Sequence, residues 1–293
     1  MKEFSGEKVT IMSCSDCNTR CKHCYVSYKG NIDGNLLYDI CDKLKDKYQL
    51  NINGTEVLLH RDYFKTYNLI GQKRLLSNGI IINEDDSIIE LIKNSSIEMV
   101  AMSYHFIIHD DISSVSQKML RENILKLQEN DIKVELMCTV TKDNYDKILQ
   151  ICENVINMGV KKVRFINFLS TGNATHLDNA NILSDEQKKI FFENLNKVRS
   201  IYSKEQLLIK RCGSFGYDVN HKSHFICPAG INEVVIAPDM NVYPCIYMVK
   251  PEYKIGKYID GKVLIEQELC HDGMNCLAND CYNKGKCLVK KHI

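Results

Sequence analysis

Apolar positions along the chain switch repeatedly between two periods. Residues 8–12, 50–54, 74–77, 99–103, 134–140 and 163–168 are short apolar runs of strand length. Between them the spacing becomes helical. Leu37, Ile40, Cys41, Leu44 and Tyr48 form one stripe, and Tyr145, Ile148, Leu149, Cys152, Val155 and Ile156 form another. Ser184-Asp185-Glu186-Gln187 has the form of a capping box and opens a further helix with Phe191, Leu195 and Val198 on one face. Six strands alternating with helices predict an α/β protein with a parallel sheet, open or partly closed into a barrel. In such folds reactive groups gather at the C-terminal ends of the strands.

Composition narrows the classes. The chain has 293 residues, 44% of them hydrophobic, enough for a sizeable core. Lys and Arg total 38 against 37 Asp and Glu, so the net charge of +1 gives no footprint for nucleic acid or an anionic membrane. The opening MKEFSGEKVT lacks the apolar stretch of a signal peptide, and no apolar run reaches the roughly 18 residues of a membrane span. A cytoplasmic location is expected. In that compartment 14 cysteines point to metal before disulfides. Four lie between Cys14 and Cys24 and seven between Cys212 and Cys287, leaving Cys41, Cys138 and Cys152 for the long middle, where core packing is expected.

The first group, Cys17-Asn18-Thr19-Arg20-Cys21-Lys22-His23-Cys24, is C-x3-C-x2-C directly after the first strand. Three thiolates on one tight loop can hold three irons of a [4Fe–4S] cube and leave the fourth open. The alternative is zinc, with Cys14 or His23 completing a tetrahedron; the spacing favours iron–sulfur, because zinc sites usually pair C-x2-C units. With Tyr25 after the last cysteine, the segment resembles the radical S-adenosylmethionine enzymes. Asn53-Gly54-Thr55-Glu56 resembles that family's Gly-Gly-Glu segment, Ser77-Asn78-Gly79 its Thr-Asn-Gly, and Ser103 a serine that ends its fourth strand. Arg164-Phe165 and Gly172-Asn173-Ala174 are similar to its sixth strand and following loop. The match runs from Lys8 to Ala174, with two departures: Asn53 replaces the first Gly, and Tyr104-His105 replaces Leu-Asp-Gly.

The resemblance implies a partial (β/α)6 barrel over residues 1–211, with metal ligands Cys17, Cys21 and Cys24 and a [4Fe–4S] cluster with an open iron. It implies S-adenosylmethionine held by Gly54, Thr55, Glu56, Ser77, Asn78, Ser103 and Arg164, with Glu56 gripping the amino group. It further implies that an external electron donor such as flavodoxin or ferredoxin drives cleavage to a 5′-deoxyadenosyl radical that removes a substrate hydrogen.

Residues 212–293 are expected to form a small Cys-rich module. Cys227 and Cys245 flank a predicted hairpin, with residues 233–238 as a strand and a turn at Asp239-Met240-Asn241. Cys270, Cys276, Cys281 and Cys287 fall within eighteen residues too poor in apolar side chains to build a core, so metal must order them. Val242-Tyr243-Pro244-Cys245 resembles the twitch or SPASM extension of the same family. Two features depart from it: Met240 stands where Gly is expected, and the tail spacing is C-x4-C-x5-C. That resemblance implies one auxiliary [4Fe–4S] cluster, or two, with zinc in the tail as the alternative. Cys212 reads as an extra ligand or as a thiol that returns a hydrogen atom, Glu135 as a barrel-interior candidate for a general acid or base, and His105 and His109 as solvated loop residues.

Relatives with such a module commonly act on ribosomally made peptides, so a precursor peptide is the expected partner and an epimerised or crosslinked residue the expected product. Only sixteen residues precede Cys17, so leader recognition is expected to use the barrel mouth or a separate protein. The alternatives are a dehydrogenase acting on a sulfatase Cys or Ser or on a small alcohol, and a zinc-binding interaction module without catalysis.

Overall fold

The protein is described by a computed structural model covering residues 1–177, 181–211 and 229–266. The chain begins with β1 (Lys2–Glu3), β2 (Lys8–Met12), α1 (Gly34–Leu44) and β3 (Gln49–Asn53). It continues through α2 (Phe64–Ile70), β4 (Arg74–Leu76), α3 (Ile80–Glu84), α4 (Ser87–Lys93) and β5 (Met99–Ser103). Then come α5 (His109–Ile112), α6 (Gln117–Glu129), β6 (Lys133–Val140), α7 (Ile148–Asn157) and β7 (Lys162–Asn167). α8 (Asp185–Ile201), β8 (Leu208–Arg211), β9 (Glu233–Ile236), β10 (Asn241–Tyr243), β11 (Gly256–Ile259) and β12 (Lys262–Ile265) complete the described elements. The six strands expected from sequence are β2 to β7.

Local chemistry explains the helix starts. Asp33 caps α1 by accepting from the N–H groups of Asn35 and Leu36, and Ser184 and Gln187 form the reciprocal capping box of α8. The predicted stripes are largely the buried faces, although Leu149 within α7 is exposed, and each differs at one end. α1 stops at Leu44, and Tyr48 reaches the core from the following turn, its hydroxyl donating to the Phe4 carbonyl. α7 begins at Ile148, so Tyr145 lies in the preceding turn. Cys41, Cys138 and Cys152 are fully buried. Among the described residues no helix is long and apolar enough to cross a membrane.

The strands form a curled wall in two hydrogen-bonded pieces, β4-β5-β6-β7-β8 and β1-β12-β11-β10-β9-β2-β3. The first is parallel throughout, and β2 is parallel to both neighbours, β3 and β9. Alternation along each strand sends one set of side chains outward to the helices and the other into the lumen. Val100, Leu136, Cys138 and Phe165 belong to the outer core; Leu76, Met137 and Ile166 face inward. The hairpin of β9 and β10 was expected, and its turn puts Met240 in the left-handed region at φ 61°, the conformation that favours Gly there.

The two pieces have no ladder between β3 and β4. Gln72 takes its place: its side-chain oxygen accepts from the Ile52 N–H at 2.7 Å, and its amide nitrogen donates to the carbonyls of Ile52 and Arg74, each at 3.0 Å. One amide thereby does the work of a strand pair at the seam. Gln72→Leu removes all three bonds and should destabilise the protein by about 1.5–4 kcal/mol in urea unfolding.

Candidate active site

The cysteine loop follows β2 and lies over the C-terminal ends of the strands. It has little regular structure and is held from three sides. On one side the Lys22 N–H donates to the Ile112 carbonyl, the Arg20 N–H to the Ser114 hydroxyl, and His23 Nδ1 pairs with the Ile112 carbonyl. On another, the Ala174 N–H donates to the Cys24 carbonyl, and Gly172 packs on the loop backbone. Gly172 has φ +61°, and a Cβ there would come within 2.7 Å of the Tyr25 carbonyl carbon and the carbonyl oxygens of Cys24 and Val26. On the third, the Asn78 amide donates to Asn18 at 2.7 Å.

Cys17, Cys21 and Cys24 are half-buried and line one cavity of about 590 Å³. Their sulfurs are met by hydrogen-bond donors: the Thr19 hydroxyl beside Cys17 at 3.0 Å, the Ser114 N–H on Cys21 at 3.3 Å, and the Asn78 amide on Cys17 at 3.6 Å. Burial pushes the Cys24 thiol up, and the nearby Cys21 and Cys17 push it further. Three thiols that repel one another as thiolates suit a cationic centre between them. Cys14, considered as a fourth ligand, is fully buried away from the cavity, its thiol pushed up to about 11 by burial. It packs against Gly54, whose Cβ would fall 2.6 Å from the Cys14 sulfur, so that glycine serves close packing. Among the described residues no group of three or more His, Cys, Asp or Glu side chains forms a ready single-ion site. A three-thiol set facing an open cavity fits an iron–sulfur cube with one unprotected corner better than a closed zinc tetrahedron.

Of the residues expected at S-adenosylmethionine, Gly54, Thr55, Ser77, Asn78 and Ser103 line this cavity. Glu56 and Arg164 do not. Glu56 is fully buried behind the wall, where its carboxylate accepts from the Asn78 N–H at 2.6 Å, the Ser77 hydroxyl at 3.2 Å and the Leu58 N–H at 3.3 Å. It fixes the loop after β3 to the loop after β4 rather than reaching into the cavity. Arg164 lies lower on β7 and donates through Nε to Glu135 at 2.9 Å. Sequence reading missed Thr139, Asn167 and Tyr247, which also line the cavity. The first two were accessible as polar residues at the ends of β6 and β7. Tyr247 stacks edge-on with Tyr25, bringing the segment after β10 against the cysteine loop near Cys245.

His105 and His109 correct the expectation of solvated loop residues: both are buried. β5 ends at Ser103, which leaves the Thr139 N–H on β6 without a strand partner, and His105 Nδ1 accepts it at 3.1 Å. His109 Nδ1 accepts from the His105 N–H at 3.2 Å. Burial, then His23 and His109, hold His105 well below the usual histidine range, so it is neutral. Its ring meets His23 edge-on with centroids 4.4 Å apart, and the next residue, Phe106, has φ 60°. Cys212, Cys227, Cys270, Cys276, Cys281 and Cys287 lie outside the described residues.

Two outcomes follow from this geometry. Gly172→Ala should displace the backbone of residues 24–26 and lower iron bound after anaerobic reconstitution several-fold, read by iron analysis and absorption near 400 nm, with circular dichroism unchanged. Burial pushes the Glu56 carboxyl up to about 7 despite the three donors, so the folded chain holds the extra proton between about pH 4.5 and 7. Stability therefore declines as pH rises through that window and levels off above it. Between pH 5 and 8 the ligand-free protein should lose about 2 kcal/mol more than Glu56→Gln in urea titrations.

No family model matches the sequence, and no curated protein matches it. Solved structures do. SuiB of Streptococcus suis bound to S-adenosylmethionine superposes with a TM-score of 0.68 at 14% identity, covering 86% of this chain and 63% of that one. SuiB bound to its precursor peptide SuiA gives 0.69 at 13% identity, over 97% of this chain and 66% of that one. His-tagged anSMEcpe with bound AdoMet gives 0.66 at 16% identity, over 86% of this chain and 74% of that one. The chain thus spans just under two thirds of the length of SuiB. SuiB and anSMEcpe hold S-adenosylmethionine in these structures, and at 13–16% identity the likeness shows that this chain shares their α/β barrel fold.

Proposed function

We propose that the protein is a radical S-adenosylmethionine enzyme that modifies a peptide. The observation that carries this reading is the convergence of Cys17, Cys21 and Cys24 on one cavity with polar strand-end residues, while Cys14 is turned away. The peptide as substrate is supported by the precursor peptide bound to SuiB and the Cp18Cys peptide bound to anSMEcpe. When bound, the cluster and S-adenosylmethionine supply hydrogen-atom abstraction, chemistry that no side chain provides.

The residues have separable tasks. Cys17, Cys21 and Cys24 hold the cluster, and the donors from Thr19, Ser114 and Asn78 offset charge on its sulfurs. Gly54, Thr55, Ser77, Asn78 and Ser103 offer the backbone, hydroxyl and amide groups that suit a polar nucleoside and its amino acid moiety. Glu56 orients the Asn78 main chain behind them. Leu76, Met137 and Ile166 close the cavity from below and exclude water. In this reading residues 212–293 hold one auxiliary cluster, with Cys245 beside Tyr25 and Cys227, Cys270, Cys276, Cys281 and Cys287 as the other candidates. Cys212 is a further ligand or the hydrogen donor, a flavodoxin or ferredoxin brings the electron, and the product is an epimerised or crosslinked residue.

Iron-loaded protein kept free of oxygen, given dithionite and S-adenosylmethionine, should release methionine and 5′-deoxyadenosine. Cys17→Ala, Cys21→Ala or Cys24→Ala should each reduce release to background. With a peptide deuterated at the modified carbon, 5′-deoxyadenosine should gain one deuterium; a colourless, zinc-loaded protein without turnover would refute the reading.

A further inference from the structure

One layer below the cavity, alternation along the strands places a second set of side chains inside the barrel. Arg74, Glu135 and Arg164 lie two residues before Leu76, Met137 and Ile166 on β4, β6 and β7, so both sets share the lumen face. Glu135 is fully buried and accepts from Arg74 Nε and from Arg164 Nε, with Lys162 Nζ 3.6 Å away. Burial alone would raise its carboxyl, and Arg74 and Arg164 together hold it below the usual range, so it is ionised. One carboxylate therefore faces three cations, an excess of two positive charges around a fully buried acid. Lys210, in register with Arg164 on β8, adds another cation to the same face.

The donors of these cations are poorly used. Both arginines approach Glu135 through Nε, and among the described residues the two terminal nitrogens of Arg164 meet no hydrogen-bond acceptor. Arg74 Nη2 rests on the Met137 sulfur at 3.1 Å, and Lys162 Nζ on the Met99 sulfur at 3.3 Å. A thioether is a weak acceptor for a cation, and enclosed cationic donors are stabilised when an oxyanion meets them in a charge-assisted fork. The side chains of Arg74, Lys162 and Arg164 remain 19–29% exposed, so the layer is open from below. A crevice of about 570 Å³ at the seam between β3 and β4 also ends on Arg74.

We propose that the lower end of the barrel lumen is an oxyanion site that takes a carboxylate or phosphate group between Arg74, Lys162 and Arg164, beside the resident Glu135. Three cations on one carboxylate leave donors available to a further anion that enters from the open lower end. This site lies on the opposite side of the Leu76, Met137 and Ile166 layer from the cysteines, and it stands whether or not the upper cavity binds S-adenosylmethionine.

Calorimetric titration of the full chain with inorganic phosphate, at constant ionic strength in chloride, should show saturable one-site binding. Lys162→Met and Arg164→Gln should each weaken it about tenfold. Glu135→Gln supplies the opposite sign: with the competing carboxylate neutralised, phosphate should bind more tightly and raise the melting temperature more than in the unsubstituted chain. Displacement of phosphate by a peptide containing Glu, and not by its Gln counterpart, would identify a peptide carboxylate as the occupant. Phosphate retained against both would identify a free anion. No saturable binding beyond the chloride control, or binding unchanged in all three variants, would overturn the proposal.

Discussion

Three sulfurs must be held in one arrangement by a loop that cannot hold itself. From Cys17 to Cys24 the backbone makes one bond of its own, from the Cys24 N–H to the Cys21 carbonyl. Apart from the Thr19 hydroxyl beside Cys17, the support comes from outside: Ile112 and Ser114 after β5, Asn78 after β4, and Gly172 and Ala174 after β7. Each support is itself anchored. Asn78 is fixed by Glu56, and the segment leading to Ile112 is tied to β6 by His105. The strand ends therefore act as a frame whose loops converge on one short segment, and the precision of the site is a property of that frame.

The lumen below is arranged in layers of different polarity. Leu76, Met137 and Ile166 make an apolar shelf under the cavity, and the Glu135 cluster lies beneath it. The shelf lowers the local dielectric on both sides, which strengthens every charge interaction above and below it. Arg164 illustrates the consequence. Motif resemblance placed it with the upper layer, yet its position on β7 puts it in the lower one, paired with Glu135.

Much of this was legible in the sequence because period and spacing are local properties. The six barrel strands, the buried stripes of α1 and α7, the capping box of α8 and the hairpin turn at Asp239 all follow from short windows. The cavity-facing cysteines and Ser77, Asn78 and Ser103 were legible for the same reason, since motifs sit at strand ends. What escaped depended on partners distant in sequence. Whether Glu56 points into the cavity or at the Asn78 N–H depends on where β4 ends. His105 reads as a loop residue until the shortfall of β5 against β6 makes it a substitute strand. Gln72 gives no signal of the seam that it closes.

The strand order also constrains how the molecule is made. β2, formed by residues 8–12, finds its second parallel neighbour in β9, more than two hundred residues later, and β1 finds its partner in β12. As the chain leaves the ribosome, one edge of β2 stays unpaired until more than two hundred further residues have emerged. An open apolar edge of that kind invites pairing with other nascent chains. A strand made early is thus among the last to be sealed, and the wait falls on the strand that carries the cysteine loop.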